Sequence, residues 1–107
     1  MIDSNVILTL LLIETLPMDK NIRELSRLLS LTDSPKEIQN FFESILSRKE
    51  LADIGNRWEL VKRLDRGEPQ RRIARDLHLS LCKITRGSKE LKKKNAVLKR
   101  FINRINK

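Results

Sequence analysis

Residues 70–86 read QRRIARDLHLSLCKITR, a pattern that predicts two short helices joined by a tight turn. A helix-turn-helix needs a small residue where its two helices cross, and Ala74 provides one. Its turn needs a residue that adopts a left-handed backbone, and His78 suits this position because histidine is enriched at positive φ. The apolar residues placed to hold the two helices together are Ile73, Leu77, Leu79 and Ile84. Such a motif presents the first turn of its second helix to a partner.

Further helices are predicted on both sides of this stretch. Apolar residues recur at spacings of three and four, which is the period of an amphipathic helix, and no stretch alternates like a strand. Capping boxes run from Ser34 to Glu37 and from Ser47 to Glu50, and Gly67 would end the helix that follows Ser47. The later helices are predicted to start at Pro69, Ser80 and Asn95. We therefore predict an all-α, six-helix chain with one domain over residues 21–107.

Residues 1–20 form an apolar N-terminal extension. The run Val6–Leu16 is almost wholly apolar, but a membrane-spanning helix needs roughly twenty such residues. A secretory signal needs a cationic start, whereas Asp3 is the only charged residue ahead of the run. We expect an arm or an extra helix packed on a dimer, with Met18 as an alternative first residue of the native protein.

The charge of the chain is concentrated in its second part. The 107 residues include 23 Lys and Arg and 14 Asp and Glu, a net charge of +9. Residues 1–47 carry −3 and residues 48–107 carry +12. Such a density of cations favours nucleic acid as a partner through counterion release, although a well-solvated surface is the plainer interpretation. A membrane surface is not expected, because only Trp58 and Phe101 supply aromatic anchors in the basic part.

The composition excludes several classes of site. A single cysteine, Cys82, excludes an internal disulfide, and one histidine, His78, leaves too few ligands for an ordinary zinc site. Three glycines do not form a phosphate loop, and no nucleophile with a general base stands out, so we expect no enzyme. With 39% hydrophobic and 4% aromatic residues, the core of a monomer would be modest and a partner chain is plausible. We expect a small, basic, cytoplasmic protein.

Five short motifs together resemble the Trp repressor family. They are Gly55-x-Arg57, Arg66-Gly67-Glu68, Gln70-Arg71, ITRGS at residues 84–88, and Leu91-Lys92. The resemblance runs from about Ile22 to Ile105, is strongest over residues 47–92 and requires one deleted residue near Pro69. The spacing of 29 residues from Arg57 to Arg86 makes it more specific than a lone helix-turn-helix.

The resemblance implies an intertwined homodimer with a pocket for L-tryptophan as corepressor beside each helix-turn-helix. The implied ligand-binding residues are Arg57, Arg86, Ser47, Gly87, Glu90, Ser44 and Leu46. Arg57 and Arg86 would sandwich the indole, and Arg86 would also pair with the carboxylate, as guanidinium groups do. Ser47 keeps the hydroxyl of a carboxylate-binding threonine, and the backbone carbonyls of Ser44 and Leu46 would take the ammonium. Gly87 would leave room for the ring.

The resemblance also implies double-stranded DNA as the partner. The implied DNA-binding residues are Gln70, Arg71, Leu81, Cys82, Lys83, Thr85 and Lys89. Arg71 suits the O6 and N7 atoms of guanine in the major groove, and Cys82 would contact a thymine methyl or serve only for packing. The expected function is repression of a tryptophan-related operon through a near-palindromic operator.

Several residues depart from the family pattern. Ala74 replaces a DNA-contacting lysine, and His78 and Ser80 replace turn glycines. Glu90 replaces a serine near the ligand's ammonium, where a carboxylate would either pair with that ammonium or cap one of the two arginines. Trp58 is expected in the core, with lining of the pocket as the second possibility.

Two other functions stay open: a DNA-binding protein with a different ligand or none, and a basic helical adaptor that binds nucleic acid nonspecifically.

Overall fold

The computed structural model describes Asn5 and residues 17–105. Within these residues the chain forms six α-helices and no strand, which confirms the all-α prediction. They are α1 (Pro17–Ser30), α2 (Pro35–Ile45), α3 (Arg48–Asp65), α4 (Gln70–Leu77), α5 (Leu81–Lys92) and α6 (Val97–Ile105). None of them is both long and apolar enough to cross a membrane. The run Val6–Leu16 lies outside the described residues.

The chain divides into two compact units, Met1–Ile45 and Leu46–Lys107. In the first, α1 and α2 border an apolar groove of about 330 Å³ that Leu25, Ile38 and Phe41 help to line. The predicted cap of α2 is present, because the hydroxyl of Ser34 accepts the backbone N–H of Glu37 at 3.3 Å. No described residue of this unit is fully buried, so its apolar side chains have little core of their own.

Helix α3 begins with the predicted capping box. The Ser47 hydroxyl accepts the backbone N–H of Glu50 at 3.1 Å, and the Glu50 carboxylate accepts the backbone N–H of Ser47 at 2.9 Å. These two hydrogen bonds lower the pKa of Glu50. After the last residue of the helix, Gly67 adopts a φ of +82°, a conformation that glycine takes without a steric penalty. The capping box and the stop at Gly67 are therefore both confirmed.

The core of the second unit joins α3 to the helix-turn-helix. Leu60 of α3, Ile73 of α4 and Ile84 of α5 are buried together. Leu64, Ala74, Leu77 and Leu79 pack against them. The residues predicted to hold the two short helices together therefore do so, and they also fasten both helices to α3.

The turn between α4 and α5 has the predicted conformation. His78 adopts φ 53° and ψ 44°, and its backbone N–H donates to the Ala74 carbonyl. Ser80 then caps α5, because its hydroxyl accepts the backbone N–H of Lys83 at 3.4 Å. A non-glycine residue thus occupies the left-handed position of the turn.

Substitution of His78 should change stability according to side-chain shape. A left-handed conformation costs an L-residue about 1–2 kcal/mol, and a β-branched side chain tolerates it worst. We expect His78→Val to lower the free energy of unfolding by about 1–2 kcal/mol, whereas His78→Gly stays within about 1 kcal/mol of the parent protein. Urea unfolding followed by circular dichroism measures both variants. Equal losses of unfolding free energy in His78→Val and His78→Gly would contradict the requirement for a left-handed conformation at this position.

The predicted start of the last helix at Asn95 is wrong. Asn95 has a φ of +57°, so it lies in the turn between α5 and α6 and not in a helix. Helix α6 begins at Val97, and Ala96 accepts the backbone N–H of Arg100 at 3.2 Å as the first carbonyl of the helix. Asparagine both caps helices and tolerates the left-handed region, and here the reversal of the chain requires the second property.

An ion-pair network that the sequence did not predict connects α3 to α4. Arg63 donates from Nε to Oε1 of Glu68 at 2.8 Å and from Nη2 to Oδ2 of Asp76 at 2.6 Å. The Arg63 side chain is only 13% exposed. Its hydrogen bonds lower the pKa of Glu68 and the pKa of Asp76 below their ordinary values. The first helix of the helix-turn-helix is therefore held to α3 by charge as well as by the core.

This network predicts a loss of stability in acid. Glu68 and Asp76 have lowered pKa values in the folded chain, so their contribution is present above their unfolded values of about 4 and is lost as they become protonated at lower pH. We expect Arg63→Gln to lower the thermal midpoint at pH 7 and to matter much less at pH 2.5. Thermal unfolding of both proteins across this range measures the difference. A difference in thermal midpoint that does not depend on pH would contradict the assignment of this stability to the ion pairs of Arg63 with Glu68 and Asp76.

Candidate functional site

A cleft of about 500 Å³ lies in the second unit between α3 and α5. The α5 side is lined by Lys83, Arg86, Gly87 and Glu90. The α3 side is lined by Ile54, Arg57, Trp58, Leu60 and Val61, and Leu98 of α6 joins them. One side is therefore polar and cationic, whereas the other is mostly apolar with a single arginine. Pockets of this size and character suit a small organic ligand.

Helical periodicity explains why these side chains share one cleft. Residues three, four and seven positions apart lie on one face of a helix, and the lining residues of α5 keep these spacings from Lys83 to Glu90. The lining residues of α3 do the same from Ile54 to Val61. Ile84, which lies off this face of α5, is buried in the core. The core thus sets the rotation of α5, and this rotation turns Arg86 towards the cleft.

The cationic groups of the cleft have no acidic partner in the described chain. Arg57, Lys83 and Arg86 are exposed and form no ion pair with any residue from 17 to 105. The carboxylate of Glu90 pairs at 2.8 Å with Nζ of Lys93, the residue that follows α5, and Lys93 does not line the cleft. The cap of an arginine by Glu90, one of the two expectations for this residue, is therefore not the pairing observed.

Gly87 of α5 faces two leucines of α3. A Cβ atom at this position would lie 3.4 Å from Cδ2 of Leu60 and 3.4 Å from Cδ1 of Leu64. An alanine would therefore touch both leucines at about ordinary contact distance, and a larger side chain would have to displace them. Because Leu60 also lines the cleft, a side chain larger than alanine at position 87 would disturb this wall.

Three residues of the implied ligand set do not line this cleft. The Ser47 hydroxyl caps α3, and Leu46 precedes that helix. Ser44 belongs to the first unit, where its hydroxyl donates to the carbonyl of Asn40 at 2.8 Å. Of the implied ligand set, the residues that line this cleft are therefore Arg57, Arg86, Gly87 and Glu90.

The sequence predicted other roles for two residues that line the cleft. Trp58 was expected in the core, and Lys83 was predicted only as a DNA contact. Trp58 is half-buried and lines the cleft, which was its second possibility. Its position next to Arg57 was the available signal. For Lys83 the signal was its spacing of three residues from Arg86.

The implied DNA-binding residues lie on the exposed side of the helix-turn-helix. Gln70 and Arg71 open α4. Helix α5 carries the other five, all exposed, and the last of them lies in its final turn: Leu81, Cys82, Lys83, Thr85 and Lys89. Leu81 is 54% exposed although it is apolar, and the Cys82 thiol is free and exposed, so neither packs in the core. The Thr85 hydroxyl donates to the Leu81 carbonyl at 2.8 Å.

Among the described residues, no three His, Cys, Asp or Glu side chains lie close enough to hold a metal ion.

Comparisons with known proteins converge on one family. The family model described as Trp repressor protein matches residues 20–106. A Trp operon repressor homolog of Chlamydia trachomatis is 36% identical over 76 residues, which cover 70% of this chain and 81% of the relative. A Trp operon repressor homolog of Xylella fastidiosa is 35% identical over 72 residues, which cover 66% of this chain and 78% of the relative. No solved structure matches the chain significantly.

Proposed function

Because this chain belongs to the Trp repressor family, we propose that it is a transcriptional repressor that binds its operator when L-tryptophan occupies the cleft between α3 and α5. The observation that carries this proposal is the position of Arg57 and Arg86, which line one cleft although they are 29 positions apart in the sequence. The proposed repressor is cytoplasmic and acts on a tryptophan-related operon.

The lining of the cleft suits each part of L-tryptophan. The indole ring would lie between the two guanidinium groups and against the apolar side chains of α3, since guanidinium planes stack on aromatic faces. Arg86 would bind the carboxylate through paired N–H donors. Neither arginine first has to break an ion pair with a described residue, so both are available to the ligand.

Helix α5 links the ligand to DNA. Its first turn presents Leu81 and Cys82 outwards, whereas Arg86, one turn later, lines the cleft. Lys83 belongs to both surfaces. A ligand that fills the cleft would favour one orientation of α5 against α3, and it would promote DNA binding only by preferring the orientation that fits DNA.

A second copy of the chain would complete this site. Ser47 caps the start of α3 and precedes Arg57 by ten residues, which corresponds to about 15 Å along the helix axis. The hydroxyl of Ser47 and the backbone carbonyls of Ser44 and Leu46 would therefore reach the ligand from a partner chain. Each of the two units carries large apolar side chains that are more than half exposed, and these support a homodimer because exposed apolar surface favours association: Ile22, Leu28, Leu31 and Ile45 in the first unit, and Val97, Phe101 and Ile105 in the second.

The dimer would place the α5 helices of its two chains on one face of a duplex. Half-sites one helical turn apart are separated by about 34 Å, so the proposed operator is a near-palindrome with this spacing. Arg71 would bind guanine in the major groove, and Lys83, Thr85 and Lys89 would contact base edges or phosphates.

Isothermal calorimetry of L-tryptophan into the purified full chain tests the corepressor directly. Trp58 lies in the cleft, so calorimetry is preferable to a fluorescence assay that would respond to this residue. We expect saturable binding at one site per chain. No heat at millimolar ligand at two temperatures would remove L-tryptophan and favour a family member with another ligand or none.

A further inference from the structure

We propose that Glu90 makes the cleft selective for aromatic amino acids over the matching aromatic acids, because its carboxylate binds the α-ammonium group of the ligand. This inference rests on the proposed function, which places an aromatic ligand in the same cleft. It adds a requirement for a positive charge on the ligand that the arginines alone do not impose.

The charges of the cleft are those expected for a zwitterion. Arg57, Lys83 and Arg86 attract a carboxylate, and Glu90 is the acidic residue among the side chains that line the cleft. A ligand with a carboxylate and no amine would leave Glu90 without a ligand partner and would bring two negative charges together. A ligand with both groups would satisfy both signs of charge.

The spacing on α5 fits an α-amino acid. Arg86 and Glu90 are four residues apart on the same helical face, so their Cβ atoms are about 5–6 Å apart. The carboxylate and ammonium of an amino acid are attached to one carbon atom, and this spacing lets the guanidinium and the Glu90 carboxylate contact them side by side. The aromatic ring would then extend towards Trp58 on the opposite wall.

The present partner of Glu90 is one that a ligand can displace. Lys93 contacts the Glu90 carboxylate at 2.8 Å, but the two side chains are 63% and 42% exposed. Exposed pairs of long side chains contribute little to stability, because water screens them and both chains lose freedom. A bound ligand would hold its ammonium beside Glu90 without ordering the long side chain of Lys93. The ligand's ammonium would therefore replace Lys93.

The test compares two ligands on three proteins. L-tryptophan and indole-3-propionate, which is tryptophan with the amino group replaced by hydrogen, are titrated by calorimetry into the parent full chain, Glu90→Gln and Glu59→Gln. Glu59 is a matched control, because it is an acidic residue of α3 that pairs with Lys62 and does not line the cleft. Circular dichroism establishes that the variants keep their helices.

We expect the parent protein and Glu59→Gln to bind L-tryptophan between about ten- and a hundredfold more tightly than indole-3-propionate, the range for a hydrogen bond to a charged group. In Glu90→Gln this preference should fall to a few fold, through weaker binding of L-tryptophan and tighter binding of the acid. An unchanged preference in Glu90→Gln would overturn the inference and leave the proposed function intact. A parent protein that binds neither ligand would overturn the corepressor proposal as well.

Discussion

The Arg86→Ala variant should bind L-tryptophan at least ten- to a hundredfold more weakly than the parent protein. Arg86 lines the cleft without an ion-pair partner among the described residues, and it is the group proposed to bind the ligand's carboxylate and one face of its ring. A charge-assisted hydrogen bond contributes about 1.5–3 kcal/mol, and each 1.4 kcal/mol is a factor of ten in affinity. Calorimetry measures the dissociation constant directly.

Arg75→Ala is the matched control for this experiment. Arg75 is an exposed arginine of α4 that lies outside the cleft and contacts Asp76 at 3.5 Å, so its removal changes the net charge equally. We expect it to leave the affinity for L-tryptophan within about twofold, since exposed ion pairs are weak. Equal binding by Arg86→Ala and the parent protein would contradict the placement of the ligand.

The Arg71→Ala variant should lose discrimination between operator and unrelated DNA. An arginine that binds guanine through two hydrogen bonds contributes about 1–3 kcal/mol of discrimination, or about five- to 150-fold. Arg71 is exposed in the first turn of α4, and within the described chain it forms no ion pair that would hold it away from DNA. Fluorescence anisotropy with the selected operator and a scrambled duplex, at one salt concentration and saturating L-tryptophan, measures the ratio of affinities.

Lys89→Ala separates base recognition from phosphate binding. Removal of a lysine that contacts a phosphate should weaken binding to both duplexes about equally. It should also reduce the slope of log affinity against log salt by about one. We expect this behaviour for Lys89 and a loss confined to the operator for Arg71. If Arg71→Ala lowered the affinity for both duplexes equally, this result would contradict a contact between Arg71 and a base.

The helix-turn-helix was predictable because its determinants are local in sequence. Ser80 caps the helix that begins one residue later, and His78 supplies the positive φ that the turn requires. The capping box from Ser47 to Glu50 is likewise contained in four residues. Local signals of this kind also explain the error at Asn95, since asparagine suits a cap and a left-handed turn equally well.

Contacts between helices could not be predicted in the same way. Arg63 and Asp76 are thirteen residues apart, and their ion pair depends on how α4 packs on α3. The contact of Gly87 with Leu60 and Leu64 depends on the separation of α5 and α3. The placement of Arg57 and Arg86 in one cleft likewise follows from that packing, and only the resemblance to a family suggested it beforehand.

The link between ligand and DNA is tested most directly by measuring operator affinity with and without L-tryptophan. A near-palindromic duplex is selected from a random pool by the full chain in the presence of L-tryptophan, and its dissociation constant is measured by anisotropy at constant salt. If the ligand favours the DNA-binding orientation of α5, saturating L-tryptophan should tighten binding about five- to 150-fold, the usual range of coupling between two sites. Equal affinity with and without L-tryptophan would contradict a ligand-gated repressor.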